Sequence, residues 1–190
     1  MSTCTTNGPT IVLRSERLVL GPHQPENLDT VHAWENDDSL LAMSADSMAH
    51  TSIEEARKSL ERWMRGSDDA IHLGIYLAGS GELIGFLQIA CIDRENERCK
   101  IGIVVGDRSR WGAGYATEAL RLAVRHVFTA LDLNRIGAET YANNPRSIRL
   151  LQRVGFRREG VLRESVRRVD GFVDELLYGL LRREWQEGEE

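Results

Sequence analysis

Two glycines, Gly112 and Gly114, stand between an apolar run and an amphipathic run in the segment IGIVVGDRSRWGAGYATEALRLAVRHV, residues 101–127. Glycine lets the backbone approach a ligand closely, and the first N–H groups of a helix have no partner inside the helix. A glycine turn that opens into a helix therefore offers several N–H donors and the positive end of the helix dipole to an anion. The segment predicts a binding site for a phosphorylated ligand. A plain strand-to-helix turn is the alternative.

Arginines are concentrated around this turn. Residues 106–169 hold 13 arginines and no lysine against 6 acidic residues, whereas residues 1–105 carry a net charge of −7. A polyphosphate would be attracted to such a positive block, whereas a nucleic-acid surface is usually basic over a broader part of the chain. We therefore expect a phosphorylated small molecule and no nucleic acid. The same arginines could also form solvated surface pairs.

The composition suits one compact domain, because 190 residues with 42% hydrophobic content can bury a sizeable core. We expect a single domain over residues 11–184, between a flexible tail at 1–10 and an acidic tail at 185–190. The three cysteines form neither an even set nor a metal-ligand spacing, which favours a cytoplasmic protein without a metal site. No apolar stretch approaches the roughly 20 residues of a membrane span, and the first residues do not resemble a secretory leader, so we expect no membrane association.

Hydropathy patterns predict the elements that must position the turn. Strands are predicted at residues 11–20, 71–77, 83–92, 98–105, 135–141, 156–169 and 172–181, and helices near 25–35, 52–65, 116–131 and 144–154. Thr51 or Ser52 is the expected cap of the second helix. Residues 79–81 and the pair Asp170-Gly171 are typical of hairpin turns.

This order of elements, with the strings WGAGYATEAL, NNPRS, RVGF and VDGFVDELLYGLLRREW, resembles the GCN5-related N-acetyltransferase superfamily. Within it, the chain is most similar to the branch of bacterial ribosomal-protein N-terminal acetyltransferases, which also contains acetyltransferases of small amines. The resemblance implies an α+β fold, a three-layer sandwich of a mostly antiparallel, mixed, six- to seven-stranded sheet with helices on both faces. It implies acetyl-CoA as co-substrate, no metal, and an amine acceptor that could be a protein N-terminus, an amino sugar, a polyamine or an antibiotic.

The resemblance also implies where the co-substrate binds. Its pyrophosphate would lie on the glycine turn, although Trp111 stands where the family more commonly has Gln or Arg. The strand at 98–105 would separate from its neighbour and hold the pantetheine arm with its freed amides. The implied contacts are Ile103, Val104 and Val105 on the strand and Arg110, Trp111, Gly112, Ala113, Gly114, Tyr115 and Ala116 at the turn.

Asn144 and Ser147 match the N-x-x-S element of the family. The resemblance implies that Asn144 hydrogen-bonds the pantetheine amide or the acetyl-bearing end, and that Ser147 faces the sulfur as the catalytic acid. Asn followed by Pro before a helical run also fits a plain helix cap, which stays open as an alternative. Many relatives use a tyrosine where this chain has Leu151, so the acid role shifts to Ser147 or to no residue.

The base that deprotonates the amine is not assigned by the sequence. An alkyl ammonium has a pKa of about 10, so some group must remove its proton. Lys100 stands where much of the branch has a glutamate, so that role cannot be transferred. Asp93, Glu97, Glu139, His32 and His72 are candidates by location only.

Direct attack of the amine is expected, because neither Cys91 nor Cys99 has an obvious partner base for an acyl-enzyme route. The acidic N-terminal half is expected to bind the cationic amine through Trp34, Glu35 and Asp37. The apolar strand at 172–181 could join a second subunit or be buried in the sheet.

Two other classes of function compete with this interpretation. A nicotinamide enzyme built on Gly112 and Gly114 is disfavoured, because the third glycine is missing and the motif lies past the midpoint of the chain. A catalytically inactive acyl-CoA sensor or interaction module of the same fold is the alternative, which Leu151 and Lys100 make plausible.

Overall fold

The computed structural model describes residues 11–44, 48–168 and 171–185. Within these ranges the chain forms eight strands and five α-helices. The strands are β1 (Leu13–Arg14), β2 (Leu18–Gly21), β3 (Ile71–Leu77), β4 (Leu83–Asp93), β5 (Arg98–Val105), β6 (Arg135–Tyr141), β7 (Arg157–Arg168) and β8 (Gly171–Leu181). The helices are α1 (Leu28–Trp34), α2 (Asp38–Ser44), α3 (Ile53–Arg65), α4 (Tyr115–Thr129) and α5 (Pro145–Val154).

The strands form one sheet in the order β1-β2-β3-β4-β5-β6-β8-β7. Every neighbouring pair is antiparallel except β5 and β6, which run parallel. The predicted α+β fold with a mostly antiparallel, mixed sheet is therefore confirmed. Parallel neighbours need a long crossover, and the segment between β5 and β6, which contains the glycine turn and α4, provides it.

The sheet has eight strands rather than six or seven, because the single strand predicted at 11–20 was wrong. It folds as β1 and β2, which pair antiparallel around a tight turn. The Ser15 hydroxyl accepts a hydrogen bond from Leu18 N at 3.0 Å, and Ser15 N donates to Leu18 O at 3.0 Å. A serine that bonds the backbone three residues on stabilises a turn, which interrupts an otherwise continuous extended pattern.

Helices cover both faces of the sheet. On one face α4 packs against β5, β1, β2 and β4, and it buries a stripe at helical spacing that consists of Leu120, Ala123, Val124 and Val127. On the other face Trp63 of α3 stacks on His72 of β3 with ring centroids 5.6 Å apart. Because neighbouring residues of a strand point to opposite faces, and Leu73 lies in the α4 core, α3 must lie opposite α4.

The predicted cap of α3 is confirmed at Ser52. Its hydroxyl accepts from Glu55 N, and the Glu55 carboxylate accepts from Ser52 N at 2.9 Å, which is a reciprocal capping box. The turn at 79–81 joins β3 to β4 as predicted, with Gly81 at φ +72°. Residues 169 and 170 of the predicted Asp170-Gly171 turn lie outside the described residues, and Arg168 pairs with Gly171 on either side of them.

Helix α2 has no counterpart among the predicted elements, because its seven residues are too few for a clear periodicity. Near the other end of the chain, the ring of Trp185 packs on Phe128 with centroids 5.5 Å apart. The predicted tail at 1–10 lies outside the described residues, as does the predicted tail at 185–190 apart from its first residue. Among the residues that are described, no helix has the length and apolar character needed to cross a bilayer.

Candidate active site

The central feature of the site is an opening between β5 and β6. The two strands pair over Arg98↔Arg135 to Lys100↔Gly137, and no further pairing between them occurs in the described chain. Beyond that point β6 continues to pair with β8 as far as Tyr141, while β5 continues to pair with β4 as far as Val105. The strands therefore separate, and a cavity of about 800 Å³ lies at the separation.

Strand alternation decides which peptide groups of β5 face this opening. Glu97 O accepts from Arg135 N at 3.1 Å on the β6 side, and Val105 O accepts from the Trp111 indole at 2.7 Å. Because alternate residues of a strand direct their peptide groups to the same side, those of Ile103 and Val105 face the opening. Those of Val104 face β4, so the expectation that all three amides are freed is corrected for Val104.

The glycine turn closes one end of the cavity. Gly112 has φ +82° and Gly114 has φ +87°, in the left-handed region that favours glycine. Gly114 is the N-cap of α4, and no side chain caps the helix there. The first N–H groups of α4 are therefore without a side-chain acceptor, and Gly112, Gly114, Tyr115 and Ala116 all line the cavity.

Arg17, which the sequence analysis missed, supports this turn from outside. Its guanidinium donates to Ala113 O at 3.1 Å, forms an ion pair with Glu118 and lies 4.8 Å from the centroid of the Tyr115 ring. The carbonyl of Ala113 thus faces Arg17, and Ala113 itself does not line the cavity. A contact between residues about 100 positions apart leaves no local pattern in the sequence.

Two arginines beside the turn have different roles. Arg110 is paired with Asp107 at 3.1 Å and with Glu82 at 2.9 Å, and these two acids raise the pKa of its guanidinium. Arg146 at the start of α5 was not singled out from the sequence, yet its guanidinium lies 4.5 Å from the centroid of the Trp111 ring. Trp111 therefore connects the glycine turn to the positively charged edge of α5, where Arg146, Arg149 and Arg153 line the cavity.

Asn144 is the N-cap of α5, and it lines the cavity as well. Its Oδ1 accepts from Ser147 N at 3.1 Å, and its Nδ2 donates to Met43 O at 3.0 Å. The side chain is 9% exposed and joins α5 to α2. Ser147 lies in the first turn of α5, half-buried, with its side chain on the cavity wall.

The two positions that differ from the family pattern, Leu151 and Lys100, lie in different environments. Leu151 is buried in the core, away from the cavity. Lys100 lines the cavity and forms an ion pair with Glu139 at 2.5 Å, which raises the pKa of the lysine. The other candidate bases lie outside the cavity wall, namely Asp93, Glu97, His32 and His72.

The remaining wall comes from α1 and α2. Trp34 and Glu35 line the cavity, as expected, together with Leu40, Leu41 and Met43. Asp37 is not on this wall, and its Oδ1 accepts from Ser39 N at 2.8 Å and caps α2. Aspartate at a helix start satisfies free N–H groups. The role of Asp37 in binding the amine stays a prediction.

Glu35 has an unusual environment for a carboxylate. One of its oxygens, Oε2, is buried and has no hydrogen-bond partner in the described part of the chain. Burial raises the pKa of Glu35, and the nearby His32 acts in the opposite direction. The site thus combines peptide groups of β5 that have no neighbouring strand on one side, a helix start without a side-chain cap and an ionisable group in a half-buried wall.

Comparison with known proteins agrees with this geometry. Residues 17–157 match the model of the acetyltransferase (GNAT) domain. The chain is 31% identical to an uncharacterized N-acetyltransferase p20 of Bacillus licheniformis, over 91% of this chain and 97% of that protein. It is 26% identical to the [ribosomal protein uS5]-alanine N-acetyltransferase of Escherichia coli, over 96% and 97% of the two chains.

A solved structure has the same fold. The spermidine N-acetyltransferase of Vibrio cholerae, in complex with CoA and spermine, superposes with a TM-score of 0.81 at 19% identity, covering 90% of this chain and 98% of that one. The match of the family model extends over most of the chain and includes the β5–β6 opening and the glycine turn. The chain therefore belongs to the acetyltransferase (GNAT) family and is an N-acetyltransferase.

Proposed function

We propose that the cavity binds acetyl-CoA and that the enzyme transfers the acetyl group to a primary amine by direct attack. The observation that carries the proposal is the separation of β5 from β6, because it leaves peptide groups without a neighbouring strand on an otherwise paired sheet. An extended pantetheine arm, with its two amides, can pair with Ile103 and Val105 as an added strand would.

The glycine turn suits a diphosphate. Acceptor oxygens can approach the backbone at Gly112 and Gly114 without a Cβ in the way, and the start of α4 supplies N–H donors. Arg146, which stacks on Trp111, brings positive charge to the same place. Arg110 contributes less, because its guanidinium is already shared between two carboxylates.

Asn144 and Ser147 have separate roles in this proposal. The cap hydrogen bond and the bond to Met43 occupy the amide of Asn144, which makes it a positioning residue for the start of α5. Ser147 lies on the cavity wall, and its hydroxyl is the proposed proton donor to the departing thiolate. Thiols have a pKa of about 8.5, so a weak acid is sufficient.

A covalent acyl-enzyme is not part of the proposed route. Burial raises the pKa of the Cys99 thiol to about 12, which disfavours the reactive thiolate. Cys91 lines the cavity, but among the described residues no histidine lines it as well to act as its base. The amine is therefore expected to attack the acetyl carbonyl directly. We expect the amine to enter along the part of the cavity wall that Trp34 and Glu35 form.

The names of two similar proteins support a primary amine as the acceptor. The Escherichia coli relative acts on an alanine of a ribosomal protein, and the Vibrio cholerae structure holds spermine beside CoA. Both acceptors present an amine. The domain bounds 11–184, the cytoplasmic location and a second subunit stay predictions.

The test compares two glycines with the same backbone conformation. Gly112→Ala and Gly81→Ala both place a side chain at positive φ with nothing within 4 Å of the new Cβ, so each should cost about 1–2 kcal/mol of stability. Only Gly112 lies at the proposed diphosphate site. Titration calorimetry should show acetyl-CoA binding weakened at least tenfold by Gly112→Ala and unchanged by Gly81→Ala.

A thiol-release assay then tests transfer, with spermidine, glucosamine and an alanine-initiated peptide as acceptors. Release of CoA that depends on one of these amines is the expected result. Absence of acetyl-CoA binding by the unaltered protein, or equal effects of the two glycine variants, would overturn the proposal.

A further inference from the structure

We propose that Glu35 is the catalytic base, the group that accepts the proton lost by the attacking ammonium ion. This inference rests on the proposed function, and it assigns the one role that the family pattern leaves vacant in this chain. In that pattern a glutamate stands at the position of Lys100. Here the carboxylate would come from the end of α1 instead.

The first support is the state of the Glu35 side chain. It lines the same cavity as Ile103, Val105 and Ser147. Its Oε2 is buried without a hydrogen-bond partner in the described ranges, so it keeps its full capacity to accept a proton or an N–H group. A buried carboxylate oxygen without a partner costs free energy in the ionised form, so this side chain of the cavity wall is biased towards taking up a proton.

The second support is the position of α1 relative to β5. The Trp34 ring lies against Gly106, the residue after β5, so closely that a Cβ on Gly106 would be 2.1 Å from a ring carbon. Glu35 follows Trp34 and is the C-cap of α1. Glu35 and Val105, the last residue of β5, both line the cavity.

The end of α1 is also fixed in place. The Asn36 amide donates to His32 O at 2.7 Å and to Thr51 O at 3.0 Å, and its carbonyl oxygen accepts from Thr51 N at 2.9 Å. These bonds join the end of α1 to the segment before α3. A base held by such contacts can be positioned well for proton transfer.

The other acids near the cavity are engaged elsewhere. Glu139 is paired with Lys100, Glu175 accepts from the Ser165 hydroxyl at 3.3 Å, and Asp37 caps α2. The charged neighbour of Glu35 on its own helix is His32. The other charged groups that line the same cavity are Lys100, Glu139, Glu175, Arg110 and the three arginines of α5.

The proton balance of the reaction is simple. The ammonium group loses one proton to the Glu35 carboxylate, and the free amine attacks the thioester carbonyl. The C–N bond forms, the C–S bond breaks, and the nitrogen loses a second proton. One of the two protons ends on the CoA sulfur, by way of Ser147, and the other passes from Glu35 to solvent. A carboxylate whose pKa is raised by burial is a better base for this step than an exposed one.

The experiment uses Glu35→Gln, with Asp29→Asn as the control, because Asp29 is an exposed acid on the same helix. Glu35→Gln should lower kcat/KM by about 10²–10³ with the best acceptor of the panel, and should remove the acidic limb of the pH profile. The Kd for acetyl-CoA should change less than twofold. Asp29→Asn should leave both quantities within about twofold of the unaltered enzyme.

A second measurement needs no acceptor. In protein labelled with ¹³C at the glutamate carboxyls, the Glu35 resonance is identified by its loss in Glu35→Gln, and its midpoint should lie above the ordinary value of about 4.3. A midpoint at or below that value would overturn the proposal, as would a Glu35→Gln enzyme that keeps its activity and its acidic limb. If acetyl-CoA did not bind the unaltered protein, the proposed function would be wrong, but the titration would still report the pKa of Glu35. Failure of the proposed function can therefore be told apart from failure of the role proposed for Glu35.

Discussion

Arg17 and Glu118, 101 positions apart, form an ion pair at the start of α4 in which two guanidinium nitrogens donate to one carboxylate oxygen, one of them at 2.8 Å. The Ser15 hydroxyl donates to the other carboxylate oxygen at 2.5 Å. The turn between β1 and β2 is thereby attached to the helix whose first N–H groups face the cavity. The bonds of Arg17 and Ser15 to Glu118 therefore link the edge of the sheet to the proposed diphosphate site.

Arg17→Ala should weaken acetyl-CoA binding although Arg17 is not on the cavity wall. Loss of the bond to Ala113 O loosens the turn, and we expect a rise in Kd of about fivefold, equivalent to about 1 kcal/mol. Calorimetry measures it directly. Arg57→Ala is the control, because Arg57 makes only an exposed pair with Glu54 on α3. Equal Kd values for the two variants would contradict this role for Arg17.

Asn144→Ala and Ser52→Ala each remove a helix cap, but only the first cap lies at the cavity. Both variants should lose about 1 kcal/mol of stability in chemical denaturation, because each leaves an N–H group without its acceptor. Asn144→Ala should also lower kcat, since the start of α5 carries Ser147. Full activity of Asn144→Ala at a stability equal to that of Ser52→Ala would show that Asn144 acts as a cap alone.

Gly106→Ala should displace Trp34, because the added methyl group would overlap its ring. We expect a loss of about 1–3 kcal/mol and a raised KM for the amine, with the Kd for acetyl-CoA less affected. Gly21→Ala is the control, since nothing lies within 4 Å of a Cβ there. The double variant Gly106→Ala with Trp34→Leu should recover part of the stability. No recovery would mean that the ring is not the obstacle.

Acid should destabilise the protein through buried histidines. Burial lowers the pKa of His23 to about 4, the neighbouring His72 acts in the same direction, and burial also lowers the pKa values of His72 and His126. The unfolded chain therefore binds protons more readily, so stability is complete above about pH 6.5 and decreases as the pH falls towards 4. For His23 alone the loss between pH 7 and pH 5 is about 2 kcal/mol.

Urea denaturation at pH 7, 6 and 5 measures this loss. His23→Phe should flatten the pH dependence, because Phe can keep the contact with Trp63 without taking up a proton. His50→Gln should not flatten it, since His50 is exposed. A slope that is the same for His23→Phe and the unaltered protein would exclude His23 as a source.

Much of the fold could be predicted from local patterns. The bounds of β3, β5, β6 and α5 agree with the sequence analysis, and the Ser52 cap and the glycine turn lie where they were expected. Periodicity, capping and positive φ are properties of a few consecutive residues, so the order of residues is sufficient to indicate them. The resemblance to the acetyltransferases adds the separation of β5 from β6, which no short segment encodes.

The rest was decided by which distant segments meet. Arg17 contacts the glycine turn although about a hundred residues separate the two in sequence, and Arg146 of α5 stacks on Trp111. Asp37 and Glu35 are two residues apart with similar chemistry. Asp37 caps a helix, whereas Glu35 lines the cavity and has a buried oxygen without a partner in the described residues. Burial and charge pairing depend on all neighbours in space, so the ability of a carboxylate to accept a proton in this enzyme is a property of the packed structure.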